Sequence, residues 1–120
     1  MSNVTASSPA GWTNLVALAA GGEQLVALRA DGRVLVWGGN LWGQRDVPPA
    51  LGRAVAVAAG GPNLAALTRD GRLLQWGRET LAAGPLEPPA FGLALGADFA
   101  VLALTDGRPA VLNNRSDAVL

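Results

Sequence analysis

The sequence has no cysteine and no histidine among its 120 residues, and lysine, tyrosine and isoleucine are also missing. The absence of thiols and imidazoles excludes disulfides and the usual zinc and haem ligand sets. Catalysis would depend on carboxylates and hydroxyls, which act as acids, bases or nucleophiles only when they are paired or supported by a neighbouring base. We therefore expect no catalytic residue, no metal, no cofactor and no enzymatic activity.

An excess of charge of one sign is also missing, because nine arginines balance nine carboxylates. This balance predicts no binding to nucleic acid or to anionic lipid. No apolar run reaches the roughly 18 residues that suggest a membrane-spanning helix. The first residues, MSNVTASSPAGW, lack the basic head and apolar middle of a signal peptide. We expect a cytoplasmic protein without membrane contact, in which 50% hydrophobic residues suffice for one sizeable core.

What the sequence does contain is a repeat. The segment AAGGEQLVALRADGRVLVWG, from Ala19 to Gly38, returns 39 residues later as AAGGPNLAALTRDGRLLQWG, from Ala58 to Gly77. A weaker third copy, from Leu95 to Leu112, lacks the Trp-Gly pair and about four residues of its first strand. A unit reused at a period of about 20–50 residues indicates a solenoid, propeller or array, because each copy leaves apolar surface for its neighbour to cover.

Within each copy the local signals are those of β-structure. Short apolar runs bounded by glycine or turn residues predict strands over Val16–Ala19, Gln24–Arg29 and Arg33–Trp37. An Asp-Gly pair follows the second run in every copy and predicts a two-residue hairpin turn, at Asp31–Gly32, Asp70–Gly71 and Asp106–Gly107. The runs are apolar almost continuously, which favours sheets that are covered on both faces, as in stacked blades.

Three tryptophans are informative. Trp37 and Trp76 occupy the same repeat position, and we expect both to pack between blades with the indole N–H on a backbone carbonyl. Trp42 has no counterpart in the second copy and lies in a predicted loop, which makes it a candidate for contact with a partner.

The segment VALAAGGEQLVALRADGRVLVWGGNLWGQRDVP resembles a repeat of the regulator of chromosome condensation family. The shared features are an alanine-glycine-glycine turn, Asp-Gly, Val-x-x-Trp-Gly and Asn-x-x-Gly-Gln. The second copy departs after Gly77, with RETLAAG in place of the last motif. The resemblance implies β-propeller blades, and the short period is similar to that of bacterial members, including propeller-type β-lactamase inhibitor proteins.

The domain organisation follows from the repeat. We predict an all-β structural domain of about three propeller blades: an N-terminal tail over 1–13, repeat 1 over 14–52, repeat 2 over 53–92 and a degenerate repeat 3 over 93–120. Propellers close with about four to eight blades, so three copies form an incomplete ring unless the chain oligomerises. A fragment or truncated relative of a longer propeller is favoured over a homodimer that completes the ring.

Three classes of function remain open. The first is a non-enzymatic module that binds a protein partner through its loops, with the candidate residues Asn40, Trp42, Arg45, Arg78 and Glu79. The second is a regulator similar to the family's guanine-nucleotide exchange factor for a small GTPase. The third is a carboxylate-pair glycosidase using Asp46, Glu79 or Glu87, which are scattered through the repeat. We predict the first class.

Overall fold

Every regular element longer than one turn is a β-strand in the part of the chain that the structure describes. The computed structural model describes residues 12–22, 24–39, 43–78, 81–83, 89–96, 99–113 and 118–119. The strands are β1 (Leu15–Ala20), β2 (Gln24–Arg29), β3 (Val34–Gly38), β4 (Ala54–Gly60), β5 (Asn63–Thr68), β6 (Leu73–Gly77), β7 (Leu81–Ala83), β8 (Ala90–Leu95), β9 (Phe99–Leu104), β10 (Pro109–Asn113) and β11 (Ala118–Val119). A short 3-10 helix, Pro49–Leu51, precedes β4.

The strands form three separate antiparallel sheets, which we call blades 1, 2 and 3. Their strand orders are β1-β2-β3, β4-β5-β6-β7 and β8-β9-β10-β11. The first strands of successive blades, β1, β4 and β8, lie against one another. This arrangement confirms the prediction of an all-β protein built from propeller blades.

The Asp-Gly turns are longer than predicted. In blade 1 the Gly32 N–H donates to the Arg29 carbonyl at 2.9 Å, and the Arg29 N–H donates to the Arg33 carbonyl at 2.9 Å. Gly32 has a φ of 86°, whereas Asp31 is not among the residues with positive φ. These features describe a three-residue loop, in which a β-turn is followed by a left-handed glycine, rather than a two-residue primed turn. The prediction of a two-residue turn was wrong because aspartate stays in the ordinary turn conformation and only glycine becomes left-handed.

The first strand of blade 3 is also longer than predicted. Strand β8 has six residues, as β1 does, and the register shifts near its start just as in β1 and β4. Before β4 of blade 2 the PPALG segment contains the 3-10 helix, whereas residues Ala90–Gly92 of the matching PPAFG segment belong to β8 itself. The residues lost from the third copy therefore shorten the connection and leave the strand intact.

The hydrophobic core consists of two layers, one between each pair of neighbouring blades. The first layer joins blades 1 and 2, and its buried members include Val26, Leu28, Val34, Leu64, Ala66 and Trp76. The second joins blades 2 and 3 through Ala65, Leu67, Leu73, Ala100, Leu102 and Leu104. Because side chains alternate along a strand, β5 contributes to both layers. Blade 2 is thus covered on both faces, as the continuous apolar runs predicted.

The two equivalent tryptophans have different environments. Trp76 is 3% exposed and its Nε1–H donates to the Gln44 carbonyl at 2.8 Å, so the predicted packing between blades is confirmed there. Trp37 is 58% exposed, and the same prediction was wrong for it. The reason is topological: this side of a blade faces the preceding blade, and no blade precedes blade 1 among the described residues.

Candidate functional site

The two ends of the blades carry different groups of loops. One end, the loop face, consists of the turns between the first two strands of each blade and the residues that follow β3 and β6. The other end, the hairpin face, consists of the Asp-Gly turns and the residues just before β1, β4 and β8. Each face brings together side chains from neighbouring blades, so either is a place where a propeller can present a site.

Two of the five predicted site residues are described, and both belong to the loop face. Arg45 and Arg78 are exposed there. The bond between Trp76 and the Gln44 carbonyl fixes the loop that carries Arg45 against the end of β6, two residues before Arg78. Asn40, Trp42 and Glu79 lie outside the described residues. The structure thus brings two of the five predicted residues to one blade junction.

Backbone and amide groups hold this junction together. The Gln24 side chain is buried and its Nε2–H donates to the Gly61 carbonyl at 2.6 Å. The Gly22 N–H donates to the same carbonyl at 3.3 Å. These are structural bonds between blades, and the paired glycines allow the close approach that the bonds require.

The hairpin face has a second junction, centred on Arg53. The Ala54 N–H donates to the Gly32 carbonyl of the blade 1 turn at 2.9 Å, and the Arg69 N–H donates to the Arg53 carbonyl at 2.8 Å. A side chain at Gly32 would place its Cβ 2.9 Å from the Cβ of Arg53. The backbone therefore fixes Arg53 between the Asp-Gly turns of blades 1 and 2.

Two adjoining hollows open on this junction. The larger has a volume of about 340 Å³. Its polar and charged lining includes Arg29, Asp31, Arg53 and Arg69, and its apolar wall includes Val16 and Val55. The smaller, of about 300 Å³, is lined by Leu51, Gly52, Arg53, Arg69, Asp70 and Arg72. Arg53 and Arg69 belong to both.

The charges around the hollows do not balance. Asp31 pairs with Arg29 at 3.6 Å and Asp70 pairs with Arg72 at 3.1 Å. Among the described residues, neither Arg53 nor Arg69 lies within salt-bridge distance of a carboxylate. Two cationic side chains therefore face the hollows without a direct carboxylate partner, and anions of matching geometry are the ligands that they can bind.

The Asp-Gly aspartates are stabilised as anions. The backbone N–H of Arg33 donates to Asp31 and lowers the pKa of that carboxyl below its ordinary 3.8. The pKa of Asp106 is lowered in the same way by the Arg108 N–H. For Asp70 the Thr68 hydroxyl is the largest cause of a lowered pKa, followed by Arg72.

The substitution Asp70→Asn should make the free energy of unfolding depend less on pH in the acidic range. A carboxyl whose pKa is lower in the folded state stabilises the fold above its unfolded pKa, and this contribution disappears as the pH falls through the folded pKa. We expect the variant to be less stable than the parent at neutral pH and the difference to shrink below about pH 3.8. Urea unfolding across this pH range measures it. A difference that is the same at both ends would contradict the assignment.

The carboxylates considered for a glycosidase fall mostly outside the described residues. Asp46 is exposed, and Glu79 and Glu87 lie outside the described ranges, so no carboxylate pair is defined. Within the same ranges no group of three or more acidic residues is placed to hold a metal ion. No helix in this part of the chain has the length and apolar character needed to cross a membrane.

Comparison with solved structures establishes the architecture. The human protein WBSCR16 matches with a TM-score of 0.73 and 17% identity, over 88% of this chain and 36% of the human chain. Yeast RCC1 (Prp20), solved in complex with Kap60, matches with a TM-score of 0.71 and 21% identity, over 88% of this chain and 31% of Prp20. The ectodomain of the Arabidopsis thaliana receptor kinase ACR4 matches with a TM-score of 0.66 and 25% identity, over 82% of this chain and 36% of the ectodomain.

These likenesses place the chain among structures with the repeat fold of RCC1, the regulator of chromosome condensation, as the resemblance in the sequence predicted. The chain spans about a third of the length of these propellers. No protein-family model and no curated protein matches the sequence.

Arg53 and Arg69 of the hairpin face were not identified from the sequence as candidate site residues. Arg53 and Arg69 lie 16 positions apart, directly before β4 and directly after β5, and the antiparallel pairing of these two strands of blade 2 brings them together. The triplet Asp-Gly-Arg occurs in all three copies, but its arginines are Arg33, Arg72 and Arg108, so it did not indicate either of these two residues.

Proposed function

We propose that the chain is a non-enzymatic protein-binding module of the propeller type, and that its hairpin face binds an acidic segment of a protein partner. The observation that carries the proposal is the pair of cations, Arg53 and Arg69, which line both hollows with no carboxylate of the described residues at salt-bridge distance. The guanidinium fork matches a carboxylate and binds it through two parallel hydrogen bonds.

The composition of the larger hollow supports a peptide as the ligand. Its wall includes the half-exposed apolar side chains of Val16 and Val55, beside the charged groups. A segment that alternates acidic and apolar side chains would satisfy both. The backbone on both sides of Arg53 is hydrogen-bonded to its neighbours, so binding need not order it and loses less conformational entropy.

The relatives provide further support for a protein partner. Prp20 was solved in complex with Kap60, and its binding to Gsp1p and histones has been characterised. Binding of proteins by a related fold favours the same class of partner for this chain. The exchange-factor role stays the alternative, because no contact of the described residues singles out a GTPase.

Binding of a fluorescein-labelled oligoglutamate peptide, followed by fluorescence anisotropy, tests the proposal. The double variant Arg53→Ala with Arg69→Ala should weaken binding by about tenfold or more, since each charge-assisted hydrogen bond contributes about 1.5–3 kcal/mol. The affinity should also fall with added salt, because exposed charges are screened.

The matched control removes the same charge from the other face. Arg45→Ala with Arg78→Ala should leave the affinity unchanged. If this control loses binding and the hairpin-face variant does not, the partner binds at the loop face, as the sequence predicted. If the peptide does not bind at all, an acidic segment is not the ligand.

A further inference from the structure

Blade 1 presents an apolar face that no other part of the described chain covers. We call it the start face, and it consists of Leu18 on β1, Leu25 on β2 and Leu35 and Trp37 on β3. The register confirms that they share one side of the sheet, because Leu25 pairs with Trp37, and Ala27 pairs with both Leu18 and Leu35. Leu18 and Trp37 are more than half exposed.

The equivalent surface of blade 2 shows that this kind of face packs against a neighbouring blade. The equivalent residues of blade 2 are Val57, Leu64, Leu74 and Trp76, and all four belong to the first core layer, beneath blade 1. The side of blade 1 that covers them presents Val26, Leu28 and Val34. The same kind of surface is thus buried against a neighbouring blade in one copy and exposed in the other.

A comparison of Val16 with Leu18 shows which exposed residues of β1 lie at the position of the contact between blades. Val16 is 62% exposed, but its equivalent Val55 is 53% exposed although blade 1 lies against blade 2. Leu18 is 60% exposed, whereas its equivalent Val57 is packed in the core layer. Val16 therefore lies outside the contact between blades, and Leu18 lies within it.

Blade 3 carries the complementary surface. We call its outer side the end face, and it consists of Ala94, Val101, Ala103 and Pro109. The last three occupy the repeat positions of Val26, Leu28 and Val34, the residues that cover Trp76 from blade 1. All four end-face residues line an apolar hollow of about 330 Å³ on the outside of blade 3.

We propose that the start face of one copy of this chain docks on the end face of a second copy, and that the reverse contact closes a ring of two chains. The argument for a second copy is that one chain carries both a start face and an end face. Each of these faces is equivalent to one of the two surfaces that are in contact between blades 1 and 2. Three blades from each of two chains give six, which is within the range of about four to eight that closed propellers use. A two-fold axis makes the two joints identical and leaves neither face exposed.

Light scattering during size-exclusion chromatography of the full chain tests the ring. The parent should elute with twice the chain mass of 12.2 kDa. Leu18→Asp places a carboxylate in both joints and should return the mass to that of one chain. Val16→Asp, the matched control at equal exposure on the same strand, should leave the doubled mass unchanged. Circular dichroism verifies that each variant keeps its β-structure.

Mixing two variants tests the direction of the contact. Val101→Asp alters the end face and should also give single chains. An equimolar mixture of Leu18→Asp and Val101→Asp contains one intact start face and one intact end face, so it should recover particles of doubled mass through one unaltered joint. Contact between two start faces would instead leave Val101→Asp dimeric.

Several outcomes would overturn the proposal. A parent that stays at the mass of one chain as its concentration is raised shows that the start face is not covered by a second copy. A dimer that resists Leu18→Asp shows that the interface is elsewhere. A distribution of larger masses shows that the joints form an open series instead of a closed ring.

Discussion

Trp76→Ala should destabilise the protein by about 3–5 kcal/mol, the usual cost of removing a buried tryptophan side chain. Trp76 is buried between blades 1 and 2, and its indole N–H satisfies the Gln44 carbonyl at 2.8 Å. Truncation would open a cavity in the first core layer and leave that carbonyl without its donor. Since domains are stable by about 5–15 kcal/mol, the loss would be a large part of the total. Urea unfolding, followed by circular dichroism, measures it.

The matched control is Trp37→Ala, at the same repeat position on the exposed start face. It should change the free energy of unfolding by less than about 1 kcal/mol, as exposed substitutions usually do. Both variants are best compared in a Leu18→Asp background, so that association of chains does not contribute. Equal effects at the two positions would mean that the contact with Gln44 and the burial of Trp76 do not stabilise the fold.

Gly60→Ala should be a strongly destabilising single-methyl substitution, with a loss of at least about 2 kcal/mol. A Cβ at Gly60 would collide with the carbonyl oxygen of Leu95, and it would lie 2.7 Å from the Leu95 carbonyl carbon and 2.8 Å from the Gly96 oxygen. These are backbone atoms of blade 3, which cannot move aside as a flexible side chain can. The expected measurement is a lower midpoint of urea unfolding.

Gly22→Ala is the control for Gly60→Ala. Gly22 belongs to a glycine pair at the same end of the blades, but its Cβ would approach no closer than 3.6 Å, to the Gly61 oxygen. Neither glycine has a positive φ, so the comparison isolates the close approach from backbone strain. We expect a change within about 0.5 kcal/mol at Gly22. Similar losses at both positions would instead indicate a general requirement for flexible backbone.

The blade architecture could be predicted from the sequence because its signals are local. Short apolar runs, a glycine pair and an Asp-Gly turn recur at one spacing, and each acts within a few residues of itself. The type of turn was harder, because Asp-Gly is compatible with both two-residue and three-residue loops. The pattern also could not distinguish the environments of Trp37 and Trp76, because these depend on whether another blade covers that side of the sheet.

The candidate site was harder to predict from the sequence because the residues that line it come from different blades. Arg53 and Arg69 are neighbours across β4 and β5 of blade 2, but the hollow that they line is completed by Arg29 and Asp31 of blade 1. Buried amides such as Gln24 were also not anticipated, because a glutamine in a strand gives no indication that its side chain will reach a carbonyl of the next blade. Repeat spacing predicts what each copy forms, and the contacts between copies decide what the site contains.

The complete burial of β5 has a consequence for the order in which the molecule opens. All six residues from Asn63 to Thr68 are shielded, with one core layer on each side of the strand. In a series of units that each contact only their neighbours, the outer units detach first. Water reaches the β5 amides only after a neighbouring blade has separated, so the middle blade is the slowest part of the chain to exchange its protons. Within a single chain, blades 1 and 3 thus protect the amides of blade 2 from exchange.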